Sequence, residues 1–173
     1  MTQRAPSEPG DSDVNPSRGP FARLLVPVDF SAASRAALEL AILFAEQWGT
    51  ESEVVVFNAP GRDDNDEFLL HTGVPWGRRD VLGETRDHLR LFADAVVSGR
   101  AGRVRLDASR DDDPVRAVVR ACERIQPSLV VLGTHGRDRR RWRRSRAERI
   151  VRAIACPVIL VRAEREVPVD PDS

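Results

Sequence analysis

Hydrophobic residues in the middle of the chain follow two alternating patterns: short continuous apolar runs, and longer segments with helical spacing. The first run, RLLVPVDF, precedes SAASRAALELAILFAEQWG, in which Ala and Leu recur at intervals of three and four residues. Ser31 stands where a helix cap is expected, and Gly49 stands where a helix would end. The pattern predicts a buried strand followed by a helix.

The same alternation continues to the end of the hydrophobic part of the chain. The further runs predicted as strands are EVVVFNAP, VRLDAS, SLVVLG and CPVILVR. Helices are predicted between them over residues 79–98, over DDDPVRAVVRACERIQ with an acidic first turn and Pro114 near its start, and over SRAERIVRAIA. The apolar face of the helix over 79–98 is predicted to contain Val81, Leu82, Leu89, Leu91, Phe92 and Val96.

Alternating strands and helices of this kind predict an α/β fold with a mainly parallel sheet covered by helices on both faces. One domain is expected over residues 21–163, because the polar, Pro- and Gly-containing segments 1–20 and 164–173 offer too few apolar side chains to offset the entropy of ordering. We predict flexible tails there and a long loop over 60–78.

Charge and hydropathy narrow the possible partners. The 27 basic and 27 acidic residues cancel, so binding of a polyanion requires local clustering of charge. Every basic residue is Arg, which weakens the interpretation of any single one. No apolar run reaches the roughly 18 residues of a membrane span, and the start of the chain does not resemble a signal peptide. We expect a cytoplasmic protein with no membrane partner.

The two cysteines, Cys122 and Cys156, lie 34 residues apart without a CxxC or zinc-binding pattern. Buried Cys behaves as a small hydrophobic residue. The sequence therefore favours two buried, reduced thiols and no metal site.

In a parallel α/β sheet, ligands bind beyond the carboxyl ends of the strands, where the strand order reverses. Asp29 follows the first strand and either accepts hydrogen bonds from a ligand or caps the next helix. Gly133 and Gly136 follow the fourth strand, where glycine permits positive φ and a close approach of backbone N–H groups to an anion. His135 between them is either a general base or, as we favour, a loop-packing residue.

Four separated segments, VPVDFSAASRAALELA, DPVRAVVRA, PSLVVLGTHGR and SRAERIVRAIACPVILVR, together resemble the universal stress protein family, of the UspA type, over about residues 21–163. The resemblance implies a Rossmann-like, five-stranded parallel sheet with strand order 3-2-1-4-5. It also implies ATP as a possible ligand, with Pro27, Val28, Asp29 and Ala59 at the base and Leu132, Gly133, Gly136 and Ser145 at the ribose and phosphates.

The chain departs from the family's nucleotide motif in its second half. That motif has nine residues between its second glycine and a Gly-Ser or Gly-Thr pair, whereas only seven separate Gly136 from Arg144, which replaces the glycine before Ser145. A long side chain at that place obstructs the approach of phosphate to the helix start, so ATP binding is expected to be reduced or lost. Alternatively, Arg137, Arg143 or Arg144 holds the phosphates directly.

The run Arg137–Arg146, RDRRRWRRSR, places seven arginines around Trp142. The favoured interpretation of this run is a solvated or internally paired loop. A site for a small anion is the second interpretation, and a nucleic-acid site is the least favoured.

The sequence lacks GxxxxGK[ST], GxGxxG, GxSxG and CxxC, which are signatures of common enzyme classes. The favoured function is therefore a non-catalytic stress-response protein, at most a slow ATPase, that binds a protein partner and dimerises through the apolar strand Pro157–Arg162. The alternatives are an adenine-nucleotide sensor that uses arginines in place of the motif glycine, and a polyanion binder that uses Arg137–Arg146.

Overall fold

The computed structural model describes residues 21–48, 52–60, 81–98, 103–111, 113–134 and 146–163. Its strands are β1 (Arg23–Pro27), β2 (Glu53–Asn58), β3 (Arg103–Ala108), β4 (Leu129–Thr134) and β5 (Val158–Arg162). Its helices are α1 (Ala32–Trp48), α2 (Val81–Val97), α3 (Pro114–Ile125) and α4 (Arg146–Ala153). The predicted tails, the loop after Pro60 and the arginine run before Arg146 lie outside the described residues.

The strands form one parallel sheet in the order β3-β2-β1-β4-β5, so the predicted topology is confirmed. β1 and β4 are neighbours in space although they are far apart in the sequence, with Leu24 opposite Leu129 and Leu25 opposite Val130. The chain reverses its direction of winding between these two strands. Their carboxyl ends therefore diverge and leave the crevice in which ligands of such folds bind.

The sheet separates two hydrophobic cores, because successive side chains of a strand point to opposite faces. Leu24 and Val26 of β1 pack with residues of α1 and α2, whereas Leu25 packs with residues of α3 and α4. All three are fully buried, as expected for a strand covered on both sides.

Side chains cap the starts of two helices, and the cap predicted at Ser31 is confirmed. The Ser31 hydroxyl accepts a hydrogen bond from the Ser34 N–H at 3.2 Å, and its carbonyl accepts the first helical bond from the Arg35 N–H at 3.0 Å. At α3, the Asp113 carboxylate accepts from the Val115 N–H at 2.9 Å, and Pro114 occupies the first turn. The acidic residues expected inside that first turn instead precede it, and the first turn itself contains none.

The predicted apolar face of α2 is wrong at one position. Leu89 is fully buried and Phe92 nearly so, but Leu91 is 69% exposed. Leu91 lies two residues after Leu89, a turn of about 200° around a helix with 3.6 residues per turn, and so faces away from the sheet. In the helices described, none is long and apolar enough to cross a membrane.

Candidate functional site

A cavity of about 440 Å³ opens beyond the carboxyl ends of β1 and β4. Its lining includes six residues that were predicted from the sequence to form a ligand site: Pro27, Val28, Asp29, Ala59, Leu132 and Gly133. The other five candidates lie outside the described residues: His135, Gly136, Arg137, Arg144 and Ser145. Cavities of about 300–1,000 Å³ are typical of small-molecule sites, so this one has room for a ligand of that class.

The floor of the cavity is fixed by hydrogen bonds between β1 and β2. The Val28 N–H donates to the Phe57 carbonyl at 2.8 Å, and the Asn58 amide donates to the Val28 carbonyl at 2.7 Å. Asn58 is buried, and its backbone carbonyl accepts a hydrogen bond from the Ser109 N–H at 3.2 Å. The backbone where the chain leaves β1 is therefore held rigidly, and Asn58 supports it from beneath.

Asp29 contacts the residue that caps α1 and also lines the cavity. Its Oδ1 accepts from the Ser31 N–H at 3.1 Å and from the Ser31 hydroxyl at 2.5 Å, so the carboxylate orients the residue that caps α1. Ser31, not Asp29, is the cap itself. The Asp29 side chain is exposed and lines the cavity, so the same carboxylate is placed to meet a ligand.

Phe30 forms part of the cavity wall in a backbone conformation that the sequence did not reveal. Its φ of 61° is in the left-handed region, which a non-glycine residue enters at a cost of roughly 1–2 kcal/mol. The ring packs edge-on against Phe92, with centroids 5.5 Å apart, and near His88 at 6.2 Å. These contacts hold a half-exposed aromatic ring beside Asp29 and place it next to the His88 ring.

Gly133 belongs to β4 and not to the loop after it, so its predicted role at a positive-φ turn is wrong. A Cβ atom added there would lie 2.5 Å from the backbone of both Ala33 and Ser34. The strand therefore passes so close to the first turn of α1 that a side chain cannot be accommodated. Glycine is required by helix packing, and the close approach forms one wall of the cavity.

First-turn residues of three helices reach the cavity: Ser34 of α1, Pro114 and Val115 of α3, and Arg146 and Ala147 of α4. The amino-terminal end of a helix carries a partial positive charge, which favours an anion nearby. Arg146 adds a full positive charge at the start of α4, whereas Asp29 supplies a negative charge at the end of β1. The cavity thus offers both a cationic side and a carboxylate.

Ion pairs brace α3 beside this cavity. Asp111 is buried and accepts from Arg116 Nη2 at 2.6 Å and Arg120 Nη1 at 3.2 Å. The hydrogen bond from Arg116 and a second from the Asp113 N–H outweigh burial and lower the pKa of Asp111 to about 2. The carboxylate stays ionised and holds the start of α3 to the end of β3.

A second pair joins α3 to α4. Arg149 of α4 donates to the Asp113 carboxylate at 2.9 Å, and Asp113 also caps α3. Burial by itself would raise the pKa of Asp113, but hydrogen bonds from the Val115 N–H and Arg149 lower it overall. These contacts fix the relative position of the two helix starts at the cavity.

Several lining residues were not singled out as site residues from the sequence: Phe30, Ser34, Phe57, Asn58, Pro60, Pro114, Val115, Val118, Ala147 and Ile150. Arg146, which also lines the cavity, was named only as the last residue of the arginine run. Asn58 had a detectable signal, since it is a polar residue at the end of an apolar strand. The helical residues gave no local signal, because their approach to the cavity depends on how the helices cross the sheet. The described residues contain no group of His, Cys, Asp and Glu side chains arranged to hold a metal ion.

Comparison with known proteins shows which family has this fold and sequence pattern. A sequence model of the universal stress protein family matches residues 20–162. The chain belongs to the universal stress protein family. No curated protein matches the sequence, so solved structures provide the remaining comparison.

Solved structures reproduce the fold over most of the chain. A universal stress protein in complex with cAMP is 16% identical with a TM-score of 0.59, and the match covers 83% of this chain and 98% of the other. An Arabidopsis thaliana member with AMP bound is 14% identical with a TM-score of 0.58 and coverage of 86% and 97%. A family member from Burkholderia pseudomallei is 25% identical with a TM-score of 0.50 and coverage of 83% and 97%.

Proposed function

We propose that this universal stress protein is a non-catalytic, cytoplasmic regulator that binds an adenine nucleotide, mainly through its adenosine end, in the cavity between β1 and β4. The observation that carries the proposal is the convergence of Pro27, Val28, Asp29, Ala59, Leu132 and Gly133 on one cavity of about 440 Å³. Two proteins of similar fold were solved with cAMP and with AMP, which supports the choice of ligand.

The chemistry of the walls matches the two ends of such a ligand. The Asp29 carboxylate is suited to an amino group or a ribose hydroxyl, both of which donate hydrogen bonds. Apolar surface from Val28, Ala59 and Leu132 is suited to a purine face. Arg146 and the start of α4 are suited to a phosphate. Arg144 in place of the family's glycine weakens the hold on further phosphates, so we expect AMP and ATP to bind with similar affinity.

Isothermal titration of the full-length protein with adenosine, AMP, cyclic AMP, ADP and ATP tests this proposal, with GMP as the control for the base. We expect adenine ligands to bind and the second and third phosphates to change affinity by less than tenfold. At a ligand concentration a hundred times the dissociation constant, stability should rise by about 2.7 kcal/mol. The absence of heat and of a thermal shift with every adenine ligand at millimolar concentration would contradict it.

Two alanines on the same helix provide a matched pair of variants. Ala147 lines the cavity at the start of α4, whereas Ala153 lies at the opposite end of α4 and lines a different cavity. Ala147→Leu fills space that the ligand needs and should weaken AMP binding at least tenfold. Ala153→Leu makes the same change in composition and should leave AMP affinity unchanged. Equal effects of the two substitutions would place the ligand elsewhere.

We also propose that the regulator acts as a homodimer through β5. The two edges of the sheet differ: β3 carries Arg103, Arg105 and Asp107, whereas β5 reads VILVR and exposes 38% of Leu160. Charged side chains protect an edge strand from pairing, and an apolar edge invites it. A second copy of the chain is the partner that an apolar edge of this kind accepts.

Sedimentation velocity of Leu160→Arg tests the dimer, and Leu91→Arg is its control. Leu91 is the more exposed of the two leucines but lies on α2, away from the β5 edge. We expect Leu160→Arg to be monomeric at concentrations at which Leu91→Arg and the unmodified protein are dimeric. A dimer that survives Leu160→Arg would exclude β5 as the interface.

A further inference from the structure

The two cysteines meet in a second cavity, at the opposite end of the α3–α4 pair from the nucleotide site. Cys122 lies in the last turns of α3, and Cys156 lies between α4 and β5. Both line a cavity of about 380 Å³, and Cys156 packs against the hydrophobic core that contains Cys122. The Cys156 thiol donates to the Pro157 carbonyl, with the sulfur 3.6 Å from the oxygen. Both cysteines are free, as expected, but the predicted burial is correct for Cys122 only, because Cys156 is half-buried.

The two thiols differ in a way that assigns them different chemical roles. The neighbouring Cys122 side chain lowers the pKa of Cys156, whereas the Cys156 side chain, burial and the nearby Glu123 raise the pKa of Cys122. The thiolate is the reactive form of cysteine. Cys156 is thus the accessible thiol that ionises more readily, and Cys122 is a protected thiol placed directly beside it.

We propose that Cys156 and Cys122 form a peroxide-sensitive pair that closes into an intramolecular disulfide. The geometry that carries this proposal is one cavity lined by both residues, with one thiol accessible from solvent and the other buried beside it. An accessible, ionisable cysteine poised next to a second one that can resolve its oxidised form is the usual arrangement of a redox-sensing pair. The proposal does not depend on nucleotide binding.

The chemistry proceeds in two balanced steps with hydrogen peroxide as the oxidant. The Cys156 thiolate attacks one peroxide oxygen, an S–O bond forms, the O–O bond breaks, and the departing hydroxide takes up a proton to become water. The Cys122 sulfur then attacks the Cys156 sulfur, the S–S bond forms, the S–O bond breaks, and the hydroxide leaves as water with the Cys122 proton. Two thiols lose two electrons and two protons, and one peroxide becomes two water molecules.

Closure of this disulfide links α3 covalently to the segment that leads into β5. The bridge spans 34 positions of the sequence and restricts the unfolded chain, so oxidation should raise the melting temperature by several degrees. A dithiol reductant should reverse the rise. A reversible rise in melting temperature indicates a disulfide that fits the native structure, because a disulfide that forms only in unfolded molecules would not stabilise the fold.

The experiment treats the folded, full-length protein with stoichiometric hydrogen peroxide and follows free thiols, intact mass and melting temperature. In the unmodified protein we expect loss of both thiols and of two hydrogen atoms, and a proteolytic digest should contain a peptide in which Cys122 is joined to Cys156. The melting temperature should rise and return to its starting value with a dithiol.

Two variants establish the order of the steps. In Cys122→Ala, Cys156 should accumulate as a sulfenic acid that a 1,3-diketone reagent labels, and in Cys156→Ala, Cys122 should react at least tenfold more slowly. Thermal denaturation of each variant confirms that it folds.

Four results would each overturn the proposal. They are thiols that stay reduced in the unmodified protein, disulfides formed mainly between chains, a fall in melting temperature on oxidation, and equal reactivity of the two variants. The digest of the unmodified protein provides its test even if a variant does not fold.

Discussion

The α3–α4 pair borders two cavities of similar size, about 440 Å³ at the helix starts and about 380 Å³ at the helix ends, and the two differ in chemistry. At the starts, helix dipoles and Arg146 favour an anion, and Asp29 offers a carboxylate to a donor. At the ends, the cavity lining includes the thiols of Cys122 and Cys156 and the side chain of Glu123. The cavity at the helix starts therefore suits an anionic group, whereas the cavity at the helix ends contains the two thiols.

Of the substitutions considered, Gly133→Val should have the largest effect, and it acts at the cavity at the helix starts. The new side chain would lie 2.5 Å from the backbone of Ala33 and Ser34, so α1 must shift at the ligand end. We expect the free energy of unfolding to fall by about 3 kcal/mol or more, together with loss of AMP binding. Urea denaturation and calorimetric titration provide the measurements.

The control for Gly133→Val is Gly83→Ala within α2, which should leave stability unchanged or raise it by up to about 1 kcal/mol. If Gly133→Val retained full stability, the close approach of β4 to α1 would not be what requires glycine there.

Asp111→Ala tests whether the ion pairs beside the ligand cavity hold α3 in place. The folded-state pKa of Asp111 is lowered from 3.8 to about 2, so its contribution is fully present above the ordinary pKa near 3.8 and is lost as pH falls through about 2. We expect the variant to be less stable by about 2 kcal/mol at pH 7. Denaturant titrations between pH 7 and pH 2 should show this difference shrinking with acidity.

Arg120→Ala is the control for Asp111→Ala, since its exposed side chain donates to the same carboxylate while Arg116 retains its own contacts. It should cost less than about 1 kcal/mol. A difference between Asp111→Ala and the unmodified protein that stayed constant from pH 7 to pH 2 would show that the charge of Asp111 is not responsible.

Asp29→Asn should have the smallest effect on folding and the most specific effect on function. The amide keeps an oxygen that can accept from Ser31, so we expect stability to change by less than about 0.5 kcal/mol. AMP affinity should fall about tenfold if the carboxylate contacts the ligand. Titration with AMP measures this loss.

Cys122→Ala, at the thiol end, is the comparison for Asp29→Asn and should leave AMP affinity unchanged. An affinity unaffected by Asp29→Asn would limit this carboxylate to orienting the Ser31 cap.

The sequence by itself determined most of the local structure of this protein. Continuous apolar runs identify strands that are covered on both faces, and Ser31 and Pro114 mark helix starts because their capping chemistry is local. The family segments in their proper order also predicted the strand order, which the sheet confirms, and six residues that line one cavity. Such features are predictable because each depends on residues close together in the chain or on a shared pattern.

Only the tertiary structure decided which distant residues meet, because side-chain spacing within one element does not specify how elements cross. It turned Leu91 outward, placed Gly133 against α1, held Phe30 at positive φ and buried Asp111 with its arginines. It also brought Cys122 and Cys156 together across 34 positions of sequence. The packing of α3 and α4 across the sheet creates that contact, and no local pattern in the sequence contains it.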